Sequence, residues 1–158
     1  MPRLNSKSRR AADQQKAPLG QLRGCPFHEL RVKFAATGLR PTRQRLSLGW
    51  LLFSRGDRHL TAENLAEEAQ ASNVPVSLAT IYNSLHQFSG AGLLREVAVD
   101  GTRTYFDTNT LIHHHFLIDG TLVDIPEVKI DPLDLPPPPP GKRVAAIEVV
   151  VHLRDASA

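Results

Sequence analysis

Three consecutive histidines, His113, His114 and His115, carry the most conspicuous metal-binding chemistry of the chain. They open a run, His113 to Ile118, that reads as a strand, followed by an Asp119-Gly120 turn and a returning segment, Thr121 to Ile125. Side chains at i and i+2 of a strand share a face, so His113 and His115 can converge on one ion while His114 points away. A terminal affinity tag is the bland alternative, but tags lack flanking strand signals. Cys25 is the only cysteine, which excludes an intrachain disulfide and a Cys-rich structural zinc site, and a reducing cytoplasm fits best.

A second set of residues has the chemistry of nucleic-acid contact. Ser77 can cap a helix in which Leu78, Ile81, Leu85 and Phe88 form a stripe to be buried. The opposite face displays Ala79, Thr80, Asn83 and Gln87, small or hydrogen-bonding groups that can meet base edges and phosphates in a major groove. Tyr82 lies at the boundary, where its ring can touch a thymine methyl and its hydroxyl a phosphate, or where it can simply pack on the domain surface. Arg40, Arg43 and Arg45 flank the start of an earlier helix, placed to grip phosphate.

Charge supports that reading. Residues 1–58 hold 13 of the 19 Lys and Arg against 3 acids, whereas residues 59–158 hold 6 against 13. A front half facing a polyanion explains the asymmetry, although six of the basic residues lie in a solvated stretch before Gly24.

The elements that must position these groups follow from caps and periodicity. Glu29 to Thr37 reads as a first helix ending at Gly38; Thr42 caps a second with a wide apolar surface from Leu46 to Phe53, which Gly56 ends; Thr61 caps a third with Glu63 in its first turn and Leu65, Ala66 and Ala69 facing inward. Ser72 to Pro75 separates it from the helix that Ser77 caps. Leu94 to Val99, an Asp100-Gly101 type I′ turn and Thr102 to Phe106 form a hairpin, and three helices, a recognition helix and a hairpin make a winged helix-turn-helix. Further on, Pro126 to Pro140 forbids a regular helix and reads as an extended linker, and Val144 to Leu153 as a closing strand. The expected class is α+β: a flexible basic arm (1–23), a winged-helix DNA-binding domain (24–108) and a small α/β or mainly β dimerisation and sensing domain (109–158). The stretch Leu46 to Phe53 is far shorter than the roughly 20 apolar residues of a membrane helix, and Met1 to Lys16 does not read as a secretory signal, so no membrane partner is expected.

Gly38-Leu39-Arg40-Pro41-Thr42-Arg43-Gln44-Arg45 and Val76-Ser77-Leu78-Ala79-Thr80-Ile81-Tyr82-Asn83-Ser84-Leu85 resemble two segments of the Fur superfamily of transcriptional regulators. The resemblance implies a cytoplasmic homodimer that binds double-stranded operator DNA and is not an enzyme, with Tyr82 touching bases and Arg40 entering the minor groove. Asn83 stands where many members have Arg, which implies a different operator. It further implies a sensory site of His59, Asp107, His113 and His115, a donor set suited to Fe²⁺, Mn²⁺ or Zn²⁺. The family's Cys-x-x-Cys zinc motif after the His strand is absent, with Phe116 to Gly120 in its place, and the last-strand His of a second metal site is also missing.

Gly24-Cys25-Pro26-Phe27-His28 resembles the haem regulatory motif, in which a Cys-Pro thiolate ligates ferric haem. Together with the three-His strand this resembles the haem-responsive iron response regulators within the superfamily. It implies haem at Cys25, with His113, His114 and His115 taking a second haem or a metal ion, and haem lowering DNA binding or protein stability. The alternative within the family is a Fur-type or peroxide-sensing repressor activated by Fe²⁺ or Mn²⁺. A small His-ligated metalloenzyme is the rival from another class, and no acid or base stands out beside the cluster to serve it.

Overall fold

The computed structural model describes residues 26–99, 101, 103–126 and 135–156. The expected basic arm, Cys25 and residues 127–134 of the expected linker lie outside the described residues.

The first helix, α1 (Pro26–Ala36), begins three residues earlier than Glu29, because proline fits a first helical position whose N–H is unpaired in any case. Helix α2 (Arg43–Phe53) starts where Thr42 accepts the backbone N–H of Arg45 at 3.3 Å. The two helices cross closely at Gly49, where a Cβ would stand 2.9 Å from the Phe34 ring and 3.3 Å from Leu30. Helix α3 (Ala62–Ala71) is held by a reciprocal cap between Thr61 and Asn64, and α4 (Leu78–Gly90) by Ser77, which accepts the Thr80 N–H at 3.2 Å. Between them Asn73 takes a left-handed φ of 53°, a conformation asparagine tolerates.

Leu30, Phe34, Leu48, Leu52, Leu65, Ile81, Leu85 and Phe88 fill the core shared by these helices, with the Phe34 and Phe88 rings stacked 5.2 Å apart. Three members of the expected α4 stripe are buried. Leu78 is the exception, 44% exposed at the first position of α4, and Ser84 is buried instead, its hydroxyl donating to the Thr80 carbonyl.

The first sheet has the order β1-β3-β2, all antiparallel, from β1 (His59–Leu60), β2 (Arg95–Ala98) and β3 (Thr104–Asp107). The wing hairpin pairs Ala98 with Thr104, and Asp100 and Thr102 of the expected turn lie outside the described residues. In the second sheet, β4 (His114–Ile118) and β5 (Thr121–Ile125) form the expected tight hairpin: Asp119 and Gly120 have φ of 50° and 78°, and Ile118 pairs with Thr121. Strand β6 (Val150–Leu153) lies parallel to β4 on its other edge. It is shorter than Val144 to Leu153. The register His115 to Val150 would set residues 144–148 against 109–113, and that segment is already folded into turns in which Asp107 accepts Asn109 N–H and Asn109 accepts Leu111 N–H.

A small second core, Val97, Tyr105 and Leu122, joins the wing to the second sheet, and the Tyr105 hydroxyl donates to the Gly120 carbonyl at 2.7 Å. No helix among the described residues is long and apolar enough to cross a membrane.

Candidate functional site

His59 and Asp107 are cross-strand partners in β1 and β3, and His115 and Asp124 are partners in β4 and β5. Cross-strand partners share a face. Where the two sheets meet, those faces come together, and His113, just ahead of β4, turns its ring to the same point. One ligand atom from each of His59, Asp107, His113 and His115 lies within 4.8 Å of the others. The Nε2 atoms of His59, His113 and His115 stand 3.5, 3.1 and 3.6 Å from Asp107 Oδ2. The same three nitrogens stand 3.0, 3.1 and 3.8 Å from Asp124 Oδ1.

These separations suit an ion. Donors bound about 2.1 Å from one metal at right or tetrahedral angles are about 3.0–3.4 Å apart, close to what is seen here. His59 Nε2, both ring nitrogens of His115 and Asp107 Oδ2 are buried without a hydrogen-bond partner among the described residues, an arrangement that is costly unless a cation satisfies it. Leu111's carbonyl, 2.8 Å from His113 Nδ1, can only accept, so in the neutral ring Nε2 is the nitrogen with a free lone pair. Three imidazoles and two carboxylates, with no sulfur, fit Fe²⁺, Mn²⁺ or Zn²⁺.

The electrostatics agree. Burial opposes charge on His59, but Asp107 and Asp124 outweigh it and raise its pKa above the usual 6.5. Burial, reinforced by the charges of His113 and His59, pushes His115 down to about 4, leaving it neutral and ready to ligate near pH 7. Burial works to raise the Asp107 pKa, yet His59 and the Asn109 N–H outweigh it and keep the carboxylate ionised. Behind the cluster, Arg95 of β2 reaches Asp107 at 3.8 Å and Glu148 at 3.0 Å, and Glu148 lies 3.6 Å from His115 Nδ1.

The expected ligands His59, Asp107, His113 and His115 are therefore brought together. His114 is not: its Nδ1 accepts the Val149 N–H on the β6 side. Asp124 and the outer Glu148 were not anticipated. Asp124 was within reach, because a two-residue turn at Asp119-Gly120 puts residue 124 opposite 115.

On α4, Ala79 and Asn83 are exposed, and Thr80 and Tyr82 half-buried. Ser77's hydroxyl is engaged with Thr80 N–H and Oγ1. Arg40 and Arg43 are exposed, whereas the Arg45 guanidinium donates to the Arg40 carbonyl at 2.8 Å and to Gln87 Oε1, bracing α4 against the loop before α2. Tyr82 donates its hydroxyl to Glu63 of α3 at 2.7 Å, an acceptor that a helix-cap reading of Glu63 does not foresee.

A winged helix whose own sheet contributes residues to a His/Asp cluster that could hold a metal ion is the arrangement expected of a metal-responsive transcriptional regulator. Residues 36–136 match the pattern of the Ferric uptake regulator family, and the chain belongs to that family. It is 30% identical over 112 residues to the peroxide-responsive repressor PerR of Staphylococcus epidermidis, covering 68% of this chain and 74% of that protein. It is 39% identical over 82 residues to the ferric uptake regulation protein of Bordetella parapertussis, covering 51% and 58% of the two chains. The fold is similar to that of the ferric uptake regulator from Pseudomonas aeruginosa with manganese (TM-score 0.61, 22% identity, 80% of this chain and 98% of that one). It is likewise similar to that of the Vibrio cholerae ferric uptake regulator (TM-score 0.63, 19% identity, 80% and 99%).

Proposed function

We propose that this regulator acts in the cytoplasm as a homodimer on double-stranded operator DNA, and that a divalent Fe, Mn or Zn ion held by His59, Asp107, His113, His115 and Asp124 raises its affinity. Ser77, Ala79, Thr80, Tyr82 and Asn83 face the bases, with Arg40 and Arg43 on phosphate and Arg45 steadying the reading helix. The observation that carries this reading is that the ligand set is split between the sheets: His59 and Asp107 come from the wing's sheet, His113, His115 and Asp124 from or beside the second. Bound there, the ion supplies a Lewis-acid link between them. The chain's own residues then fix the angle of the wing and α4 to the second sheet, and a dimer needs two such angles to match successive major grooves.

A gel-shift titration with duplexes from the regulator's own upstream region tests it. Protein stripped with a chelator is compared with protein reloaded with Mn²⁺. Mn²⁺ should tighten binding at least about tenfold, a coupling of the size typical of such switches; equal binding in both arms removes the metal from the mechanism.

A haem-responsive form of the same function, of the iron response regulator kind, is supported by one feature, the Cys25-Pro26 pair of the sequence, whose proline opens α1. It reverses the sign: chelator-stripped protein binds and haemin releases it. A ferric thiolate spectrum that survives Cys25→Ala would dismiss that ligand.

A further inference from the structure

The phenol of Tyr82 has one hydrogen to donate, and Glu63 Oε1 takes it at 2.7 Å. Glu63 sits in the first turn of α3, where unpaired backbone N–H groups favour a negative charge. Its carboxyl is held below the usual range, first by the Tyr82 hydroxyl and then by its own backbone N–H. The Tyr82 ring also stacks over His86 one turn along α4, with centroids 6.3 Å apart and planes 23° from parallel. His86 is tethered in turn, its Nδ1 2.9 Å from Glu96 of the wing. Tyr82 is thus gripped at its hydroxyl by α3 and at its face by a side chain tied to β2.

From this we infer that Glu63 is a positioning residue for base reading: it ties down the Tyr82 hydroxyl so that ring carbon, rather than a phosphate-seeking O–H, is presented to DNA, and its charge discourages phosphate at that point. The inference rests on the DNA-binding reading above and deepens it. A phenol free to swing would donate to any phosphate oxygen, which adds affinity on every sequence and information on none. A ring held by its hydroxyl offers an apolar edge to whatever base lies opposite, and a thymine methyl is the matching group.

The test is selection from a randomised duplex library by Mn²⁺-loaded protein, comparing wild type with Glu63→Ala, Glu63→Gln, Tyr82→Phe and the double variant Glu63→Ala/Tyr82→Phe. Thermal melting of each confirms a folded chain. Wild type should favour one base pair per half-site through Tyr82 by about fivefold, the lower end of single-base discrimination. Glu63→Ala should flatten that one position while leaving the others unchanged, which a general loss of structure would not do. Glu63→Gln keeps an acceptor and should retain the preference, with steeper salt dependence from the lost negative charge. With Glu63 removed and Tyr82→Phe present, the preference should match that of Tyr82→Phe alone, because Glu63 acts through the hydroxyl.

An unchanged profile for Glu63→Ala, or an effect that persists in full in the Tyr82→Phe background, would overturn the inference while leaving the regulator reading intact. If wild type enriches no sequence at all, the DNA-binding reading itself fails.

Discussion

The helical half and the C-terminal sheet are stabilised by different means. In the first, residues from α1 to α4 and the adjoining strands build one continuous apolar core around Phe34, Phe53 and Phe88. In the second, Leu122 is the buried apolar member, with Leu117 and Val150 only partly covered, and Ile118, Val123, Val151 and Leu153 are exposed. Fully burying a large apolar side chain contributes about 1.5–3 kcal/mol, so burial is the main source of stability in the helical half. The sheet made by β4, β5 and β6 instead faces a polar cluster it shares with the first sheet, in which His59 Nε2, Asp107 Oδ2 and both ring nitrogens of His115 have no hydrogen-bond partner among the described residues, and a bound cation would add to its stability. Reading DNA calls for a rigid scaffold; sensing calls for a part whose stability depends on what is bound.

The contrast breaks most sharply if a core change in the helical half proves mild. Phe88→Ala should cost about 3–5 kcal/mol in urea unfolding, with or without metal; a loss below about 1 kcal/mol would mean that the helical half also leans on the ion. Next in size, Asp107→Asn should weaken Mn²⁺ or Zn²⁺ binding at least about 100-fold, about 2.7 kcal/mol, by calorimetry, because Oδ2 of Asp107 faces all three histidines. Amide exchange should then be faster in β4 and β5 and unchanged in α4. Asp124→Asn should have a smaller effect, about tenfold, since Asp124 is half exposed and lies at longer range from His115. Equal losses at Asp107 and Asp124 would remove the distinction between the buried and the open side of the site.

The smallest effect is that of pH. His59 has a raised pKa, so protons compete with metal there at near-neutral pH, and affinity should fall as pH drops from 8 to 6.5, by less than about tenfold per unit for one displaced proton. His115, held to about 4, takes no part in that range. Without metal the sign reverses. A raised folded pKa makes His59 contribute stability that is fully present below 6.5 and lost as pH rises through the folded value. Metal affinity and apo stability measured over this window should therefore run in opposite directions.

Local chemistry was legible where one short stretch decides the outcome. Thr42, Thr61 and Ser77 each cap the helix expected of them, and Asp119-Gly120 makes the turn that sets β5 beside β4. What escaped depends on long-range pairing. The two-residue strand β1 has no periodicity to detect, and its existence depends on β3. Leu78 fits the apolar stripe by spacing, but at the first position of α4 it is left exposed. Residues 144–148 have strand composition and lack a partner, because the matching segment beside β4 is spent in Asx turns. Glu63 was visible as a helix-cap residue; its contact with Tyr82 arises only from how α3 and α4 cross.

The parallel pairing of β6 with β4 also requires a long connection. Parallel neighbours cannot be joined by a tight turn, and here the chain must travel from Ile125 to Val150, through Pro136 to Pro140, before the ladder closes. Closures of that span cost more chain entropy than local helices and hairpins do. Until that ladder closes, the edge of β4 presents unpaired backbone groups that an identical strand from another chain can take up.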